Sequence, residues 1–199
     1  MNVIGKINTY NLSIYILNII KPYLEDKNIK RVRLGIEILL INISKFIIIF
    51  SVAMIFNVFW ESCIVLTAFG ILRRTMGGIH AKSSNRCTLF SMLLIVGGGI
   101  FPKIFLINNY LVVSLFIINA ILTYKYAPGD TIKNPIRDIE KRKILRRESL
   151  KRIICLGIFT LFIPNEAIKT LISFGATAAV ISILPILFRR CNQQCNNLE

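Results

Sequence analysis

The sequence predicts an all-α fold, a polytopic bundle of membrane helices forming a single integral membrane domain over residues 1–199. Two observations predict it: apolar residues gather in long runs, and basic residues gather in alternate connections between those runs. Apolar residues make up 54% of the chain, and the mean hydropathy is +0.63. Soluble domains reach about 45–50% only when glycine is counted, whereas the 11 glycines here come on top of the 54%.

The apolar runs set the number of membrane crossings. There are about six of them, at 34–57, 62–72, 88–107, 109–126, 153–163 and 167–188. A helix needs about 20 residues to cross the hydrocarbon core of a bilayer. Four runs meet or approach that length, whereas 62–72 and 153–163 cross only if their flanks extend the helix, and are otherwise re-entrant. The sequence therefore predicts four to six true crossings.

The basic residues set the orientation. The net charge is +15, with 25 Lys and Arg against 10 Asp and Glu. The basic residues gather before residue 34, in 73–86, in 125–152 and after residue 188, and the short connections between these segments contain no Lys or Arg. Because cytoplasmic connections carry the excess of Lys and Arg, we expect a multi-pass protein of the cell membrane with both termini in the cytoplasm.

This orientation divides the chain into consecutive parts. They are an N-terminal cytoplasmic or interfacial segment (1–33), a first membrane hairpin (34–72), a cytoplasmic segment (73–87), a second hairpin (88–126), a basic cytoplasmic loop (127–152), a third hairpin (153–188) and a cytoplasmic tail (189–199). Within the first part, residues 11–21 are typical of an amphipathic helix that ends before Pro22 and lies in the membrane interface. The N-terminus lacks the combined features of a signal peptide.

Composition also limits the partners and cofactors. A nucleic-acid-binding protein needs its basic residues on a folded, soluble face, but here they fill the gaps between apolar runs, so we expect anionic lipid as a partner and no nucleic acid. The cysteine count of five is odd, and Cys63 and Cys155 lie within apolar runs, which argues against a disulfide framework. Cys191 and Cys195 lack a second ligand pair at zinc spacing, so we expect no metal and no cofactor.

The residues best suited to chemistry lie in the cytoplasmic segment. His80 is the only histidine, and Cys87 follows it where the third apolar run begins. Together they could form a thiolate–imidazolium pair. Seven residues of continuous helix would separate them by about 10 Å along the axis, so a helix break is needed, and Ser83–Asn85 favour one. Cys87 would then lie in the first helical turn, where the helix dipole and nearby basic residues lower a thiol pKa.

The residues alone leave other interpretations open. A cysteine at a helix edge is often a small apolar residue, and a histidine among basic residues is often only solvated. The Gly77–Gly78 pair allows a turn with positive φ or a close backbone approach. The main alternative is a non-catalytic membrane permease or scaffold whose basic loops bind lipid or a partner. A permease, however, would be expected to carry polar groups at mid-membrane.

The cytoplasmic segment resembles the signature of the accessory gene regulator B (AgrB) family of membrane cysteine peptidases, which process autoinducing-peptide precursors in Gram-positive quorum sensing. The matching residues are Arg73, Gly77, Gly78, His80 and Cys87 at its seven-residue offset. A second match is Ala127–Asp130 followed by Asn134-Pro135-Ile136. Chain length, run pattern and the basic loop are also similar to that family. The final segment, with Cys191 and Cys195, matches no motif of it.

The resemblance implies a mechanism and a substrate. Cys87 would attack a peptide bond of an AgrD-like propeptide, and His80 would take the thiol proton and later protonate the leaving amine. The acyl group of the resulting acyl-enzyme thioester would then pass to an internal nucleophile of the peptide, usually a cysteine, which makes a thiolactone. Arg73, Gly77 and Gly78 would bind substrate or support the site.

The family resemblance also bears on the remaining partners. Asp130 is a candidate for orienting the histidine, although a turn role in Pro128–Asp130 is the alternative. The substrate would be an amphipathic peptide on the cytoplasmic leaflet, and the basic residues of 125–152 suit its acidic portion and anionic lipid equally. The family also implies a homodimer.

Overall fold

The computed structural model describes residues 14–16, 29–77, 84–129 and 138–184, and all regular structure in these ranges is helical. The elements are α1 (Ile29–Ile55), α2 (Phe59–Met76), α3 (Ser84–Ile100) with a 3₁₀ turn at Phe101–Lys103, α4 (Asn109–Tyr126), α5 (Ile139–Phe162) and α6 (Glu166–Ile181). The all-α prediction is confirmed. Of the predicted helix 11–21, residues 14–16 are helical, and the others lie outside the described residues.

The chain separates into two compact units, Met1–Ser51 and Val52–Glu199. In the first unit, the described helical residues are 14–16 and the part of α1 up to Ser51. Helices α2 to α6 belong to the second unit, in which α2 packs most extensively against α6, and α5 packs against α4 and α2. The candidate site therefore depends on the second unit.

Side-chain caps start three of the helices where the sequence provides short polar residues. Asn108, Asp138 and Asn165 precede α4, α5 and α6, and each accepts hydrogen bonds from backbone N–H groups two or three residues later at 2.9–3.3 Å. Such caps satisfy N–H groups that have no partner within the helix. They explain how the short connections before α4 and α6 can begin a new helix at once.

Both short apolar runs are parts of longer helices. Run 62–72 lies within α2, which has 18 residues. Run 153–163 overlaps the second half of α5, which has 24 residues and is about 36 Å long at 1.5 Å per residue. The first half of α5 is the basic sequence from Ile139 to Arg152, so this portion of the segment expected as a loop is helical.

Length and composition mark one helix in the described ranges, α4, as able to cross a membrane. The apolar stretches Leu39–Ile55 and Leu89–Lys103 are shorter. One apolar helix suggests membrane association, while the predicted number of crossings stays a prediction.

Helix α4 buries two polar side chains and exposes several isoleucines. Asn119 and Thr123 are buried, with 2% and 0% of their surface exposed, whereas Ile117, Ile118 and Ile121 are each more than half exposed. The Asn119 amide donates to Thr177 Oγ1 of α6 at 2.9 Å. A helix in water would show the opposite pattern. The exposed isoleucines are consistent with membrane association.

Glycines allow the helices of the second unit to approach closely. A Cβ atom added at Gly175 of α6 would lie 2.7 Å from the carbonyl oxygen of Val65 in α2. One added at Gly99 of α3 would lie 2.8 Å from the hydroxyl of Ser62 in α2. Small residues at such contacts are typical of helices that pack in membranes, where dispersion contacts replace the hydrophobic driving force.

Candidate active site

The described part of the candidate site consists of the last turn of α2, Gly77 and the first turn of α3. Helix α2 ends at Met76 and α3 begins at Ser84, so a helix starts between His80 and Cys87, as Ser83–Asn85 predict. Cys87 is the fourth residue of α3, at the end of its first turn. The backbone N–H groups of a first turn give it a partial positive charge, which favours the thiolate form of a cysteine placed there.

Three of the predicted site residues, His80, Gly78 and Asp130, lie outside the described residues. Arg73 and Gly77 are described in full, and Cys87 is described as part of the α3 backbone. Farther along α3, Leu89, Phe90 and Leu93 have more than half of their surfaces exposed. Cys87 is thus at the start of a helix with an exposed apolar surface.

A backbone contact joins the two sequence motifs that resemble the family. Gly77 and Gly129 form an isolated parallel bridge, in which the Gly129 N–H donates to the carbonyl of Met76 at 2.9 Å. Gly77 has φ +68° and ψ −141°, a conformation available to glycine and strained for other residues. A Cβ atom there would also lie 3.0 Å from the Gly129 carbonyl oxygen.

The bridge has a consequence for the rest of the site. His80 follows Gly77 by three residues, and Asp130 follows Gly129 directly. The described chain thus ends at the bridge on both sides, at Gly77 before His80 and at Gly129 before Asp130. Sequence analysis did not predict this contact, because each glycine pattern indicates a turn by itself.

Two arginines of α5 bind backbone carbonyls of other segments, one beside the bridge and one within α2. Arg146 Nε donates to the carbonyl of Ala127 at 2.9 Å, just beyond the end of α4. Arg152 Nη1 donates to the carbonyl of Ile71 at 2.9 Å, near the end of α2. Ala127 follows the last residue of α4, where carbonyls lack helical partners and a cationic side chain is favourable. Sequence analysis missed both roles, since it identified these arginines only as members of a basic segment.

Arg73, in the last turn of α2, contacts the end of α6. Its Nη1 donates to the hydroxyl of Ser182, just after α6, at 2.8 Å, and its guanidinium carbon is 5.5 Å from the centroid of the Phe69 ring. The Ser182 hydroxyl in turn donates to the carbonyl of Ala179 at 2.6 Å. Arg73 therefore links the last turn of α2 to the end of α6, close in sequence to the Gly77 bridge.

The basic half of α5 presents a positive surface. Seven Lys and Arg lie between Ile139 and Arg152, against two acids. The acids form i,i+3 ion pairs, Glu140 with Lys143 at 3.6 Å and Glu148 with Lys151 at 3.0 Å. The Lys151 ammonium, through its hydrogen bond, lowers the pKa of the exposed Glu148 carboxyl. In the described ranges, no three His, Cys, Asp or Glu residues form a group that could hold a metal ion.

Comparison with known proteins identifies the family. The family model for accessory gene regulator B matches residues 8–183. The chain is 40% identical over 174 residues to an AgrB-like protein of Clostridium acetobutylicum, covering 87% of this chain and 83% of that protein. It is 30% identical over 175 residues to an AgrB-like protein of Listeria monocytogenes, covering 88% and 86%.

A third relative carries the full family name. The accessory gene regulator protein B of Staphylococcus epidermidis is 30% identical over 177 residues, covering 83% of this chain and 88% of that protein. Comparison with solved structures returns no match. The family match covers both glycine motifs, the single histidine and Cys87. The chain belongs to the accessory gene regulator B family.

Proposed function

We propose that this protein is a membrane-embedded cysteine endopeptidase that cleaves a quorum-sensing propeptide and assists its cyclisation to a thiolactone-type autoinducing peptide. The observation that carries the proposal is the position of Cys87 in the first turn of α3, seven residues after the only histidine, in a chain of this family. A first-turn thiol beside a general base is the arrangement that activates a cysteine nucleophile.

The proposed reaction has two acyl transfers. His80 takes the proton of Cys87 as the sulfur adds to the scissile carbonyl, and then gives that proton to the leaving amine when the C–N bond breaks. The product is a thioester between Cys87 and the peptide. A cysteine thiol within the peptide then attacks this thioester, and the Cys87 thiol is released. The second step exchanges one thioester for another, so its free-energy change is small.

The proposed setting is a bilayer crossed by α1 to α6, with the active site and both termini in the cytoplasm. Support comes from the six helices of 16–27 residues, the exposed isoleucines of α4 and the alternation of basic connections. An AgrD-like propeptide would approach along the cytoplasmic leaflet. The positive half of α5 would attract its acidic portion and anionic lipid, and a homodimer is the assembly that we expect.

Co-expression with a tagged propeptide from a neighbouring reading frame tests the proposal. We expect wild type to shorten the peptide, and Cys87→Ala and His80→Ala to reach the membrane without shortening it. Cys155→Ala is the matched control, since Cys155 is an exposed cysteine of α5 and should leave processing unchanged. Mass spectrometry should find a peptide adduct on Cys87 that hydroxylamine removes.

The same experiment tests the alternative, a non-catalytic permease or scaffold that binds lipid or a partner through its basic loops. If the Cys87 and His80 variants process the peptide at the wild-type rate, the pair is structural and the peptidase proposal fails. The scaffold alternative then predicts that another protein cleaves the peptide and that this chain only binds it or a partner.

A further inference from the structure

We infer that Arg146 is a positioning residue for the proposed reaction and acts through the segment Ala127–Gly129. This inference rests on the proposed function and goes beyond it, because it separates one arginine of α5 from the general positive charge of that helix. The sequence places Arg146 in the basic segment with six other cations between Ile139 and Arg152.

The first step of the argument is the hydrogen bond to Ala127. The residue is 1% exposed, and its backbone is extended, with φ −80° and ψ 148°, so α4 does not continue past it. Its carbonyl has no helical donor, and a buried carbonyl without a donor costs free energy. Arg146 Nε supplies that donor at 2.9 Å from a half-buried position.

The second step leads from Ala127 to the site. Gly129 is two residues further along the chain and donates to the Met76 carbonyl at 2.9 Å. Its own carbonyl lies where a Cβ atom on Gly77 would be only 3.0 Å away. Any displacement of Ala127–Gly129 therefore changes the backbone contact at Gly77. The segment that carries His80 begins at that residue.

The third step separates positioning from charge. Arg147 is the next residue of α5, carries the same charge and has an exposed side chain. If the basic half of α5 acts only as a positive surface for peptide or lipid, Arg146 and Arg147 should be equivalent. If the Ala127 hydrogen bond matters, they should differ even when the charge is kept. Lysine keeps the charge but replaces the fixed fork of the guanidinium with a single ammonium on a flexible stem.

The experiment uses the full-length protein in lipid nanodiscs with a synthetic propeptide. Arg146→Lys is expected to lower kcat about tenfold with KM nearly unchanged, because small misplacements of catalytic groups cost one to two orders of magnitude in rate. Arg147→Lys should keep the wild-type kcat. Arg146→Gln should lower kcat further than Arg146→Lys.

A second readout needs no peptide. The rate at which iodoacetamide alkylates Cys87, followed by mass spectrometry across pH, reports how the site prepares the thiolate. We expect this profile to change in Arg146→Lys and to match wild type in Arg147→Lys. A purely structural role elsewhere in the bundle would leave the profile unchanged.

The outcomes distinguish the two proposals. Equal kcat values and equal alkylation profiles for the two lysine variants would overturn the positioning role of Arg146. An equal rise in KM for Arg146→Gln and Arg147→Gln, with kcat unchanged and with the difference from wild type removed by added salt, would also overturn it, because charge alone would then explain the effect. Normal processing by Cys87→Ala would instead refute the proposed function.

Discussion

Replacing Gly77 with alanine should abolish peptide processing and lower the free energy of unfolding. The residue has φ +68° and ψ −141°, a conformation that costs other residues about 1–3 kcal/mol. The added Cβ would lie 3.0 Å from the Gly129 carbonyl oxygen. Moving Gly129 away would break its 2.9 Å hydrogen bond to Met76, which contributes about 0.5–1.5 kcal/mol. The free energy of unfolding should therefore fall by about 1.5–4.5 kcal/mol.

The alternative to that full loss is local opening, in which the bridge separates and the helices stay packed. In that case the free energy of unfolding falls by less, but peptide processing is still lost, because Gly129 no longer holds Gly77, from which the chain continues towards His80. Thermal unfolding in detergent and the processing assay therefore have to be measured on the same preparation. We expect processing to fall at least as strongly as stability.

Gly70→Ala is the matched control. Gly70 lies within α2, and a Cβ atom there would meet nothing within 4 Å. Alanine in a helix interior is about 0.5–1 kcal/mol more favourable than glycine, so this variant should be as stable as wild type or more so and should keep its activity. A Gly77→Ala protein that melts with wild type and processes normally would show that the Gly77–Gly129 bridge has no role in the site.

Three further predictions concern the bundle. Gly175→Val should lower the free energy of unfolding by about 1–3 kcal/mol through overpacking, because its Cβ would lie 2.7 Å from a backbone oxygen of α2. Gly97→Ala is the control, since a Cβ atom there meets nothing within 4 Å, and it should not lower the unfolding temperature. Asn109→Leu should lower the free energy of unfolding by about 1.5–3 kcal/mol, because it removes the acceptor of the buried Lys169 ammonium. Adding Lys169→Met to this variant should recover stability, and no recovery would show that the two side chains do not interact. Cys155 has an exposed side chain in the apolar half of α5; in native membranes it should resist a charged maleimide that labels a cysteine introduced in the basic half, and equal labelling would contradict the membrane placement.

Sequence analysis located the helices of the second unit well because each of them overlaps one of the apolar runs. It placed their ends less well where a helix continues into charged sequence. In α5 the basic half contains good helix formers such as Glu, Lys, Arg and Leu, yet hydropathy registers only its charge. The Asp138 cap, whose side chain accepts from the Glu140 N–H at 3.0 Å, was the available signal for this start.

The candidate site was predictable in part for the same kind of reason. The helix break before Cys87 depends on local residues, and Ser83–Asn85 indicate it. The bridge between Gly77 and Gly129 depends on the packing of α2, α4 and α5, which no local pattern encodes. The family resemblance identified both glycine motifs but gave no physical reason for their occurrence together, and the backbone contact between them supplies one.

The arginines of α5 have different partners, which a charge count does not distinguish. Such a count treats the ten Lys and Arg of 125–152 as one positive surface for acidic peptide or lipid. The structure divides them, since Arg146 donates to a carbonyl just after α4 and Arg152 donates to a carbonyl within α2, whereas Arg147 has an exposed side chain. If this protein attracts an acidic peptide or anionic lipid, we expect the exposed cations to be responsible. We expect Arg146 to act instead on the backbone of Ala127–Gly129, which a charge count does not distinguish.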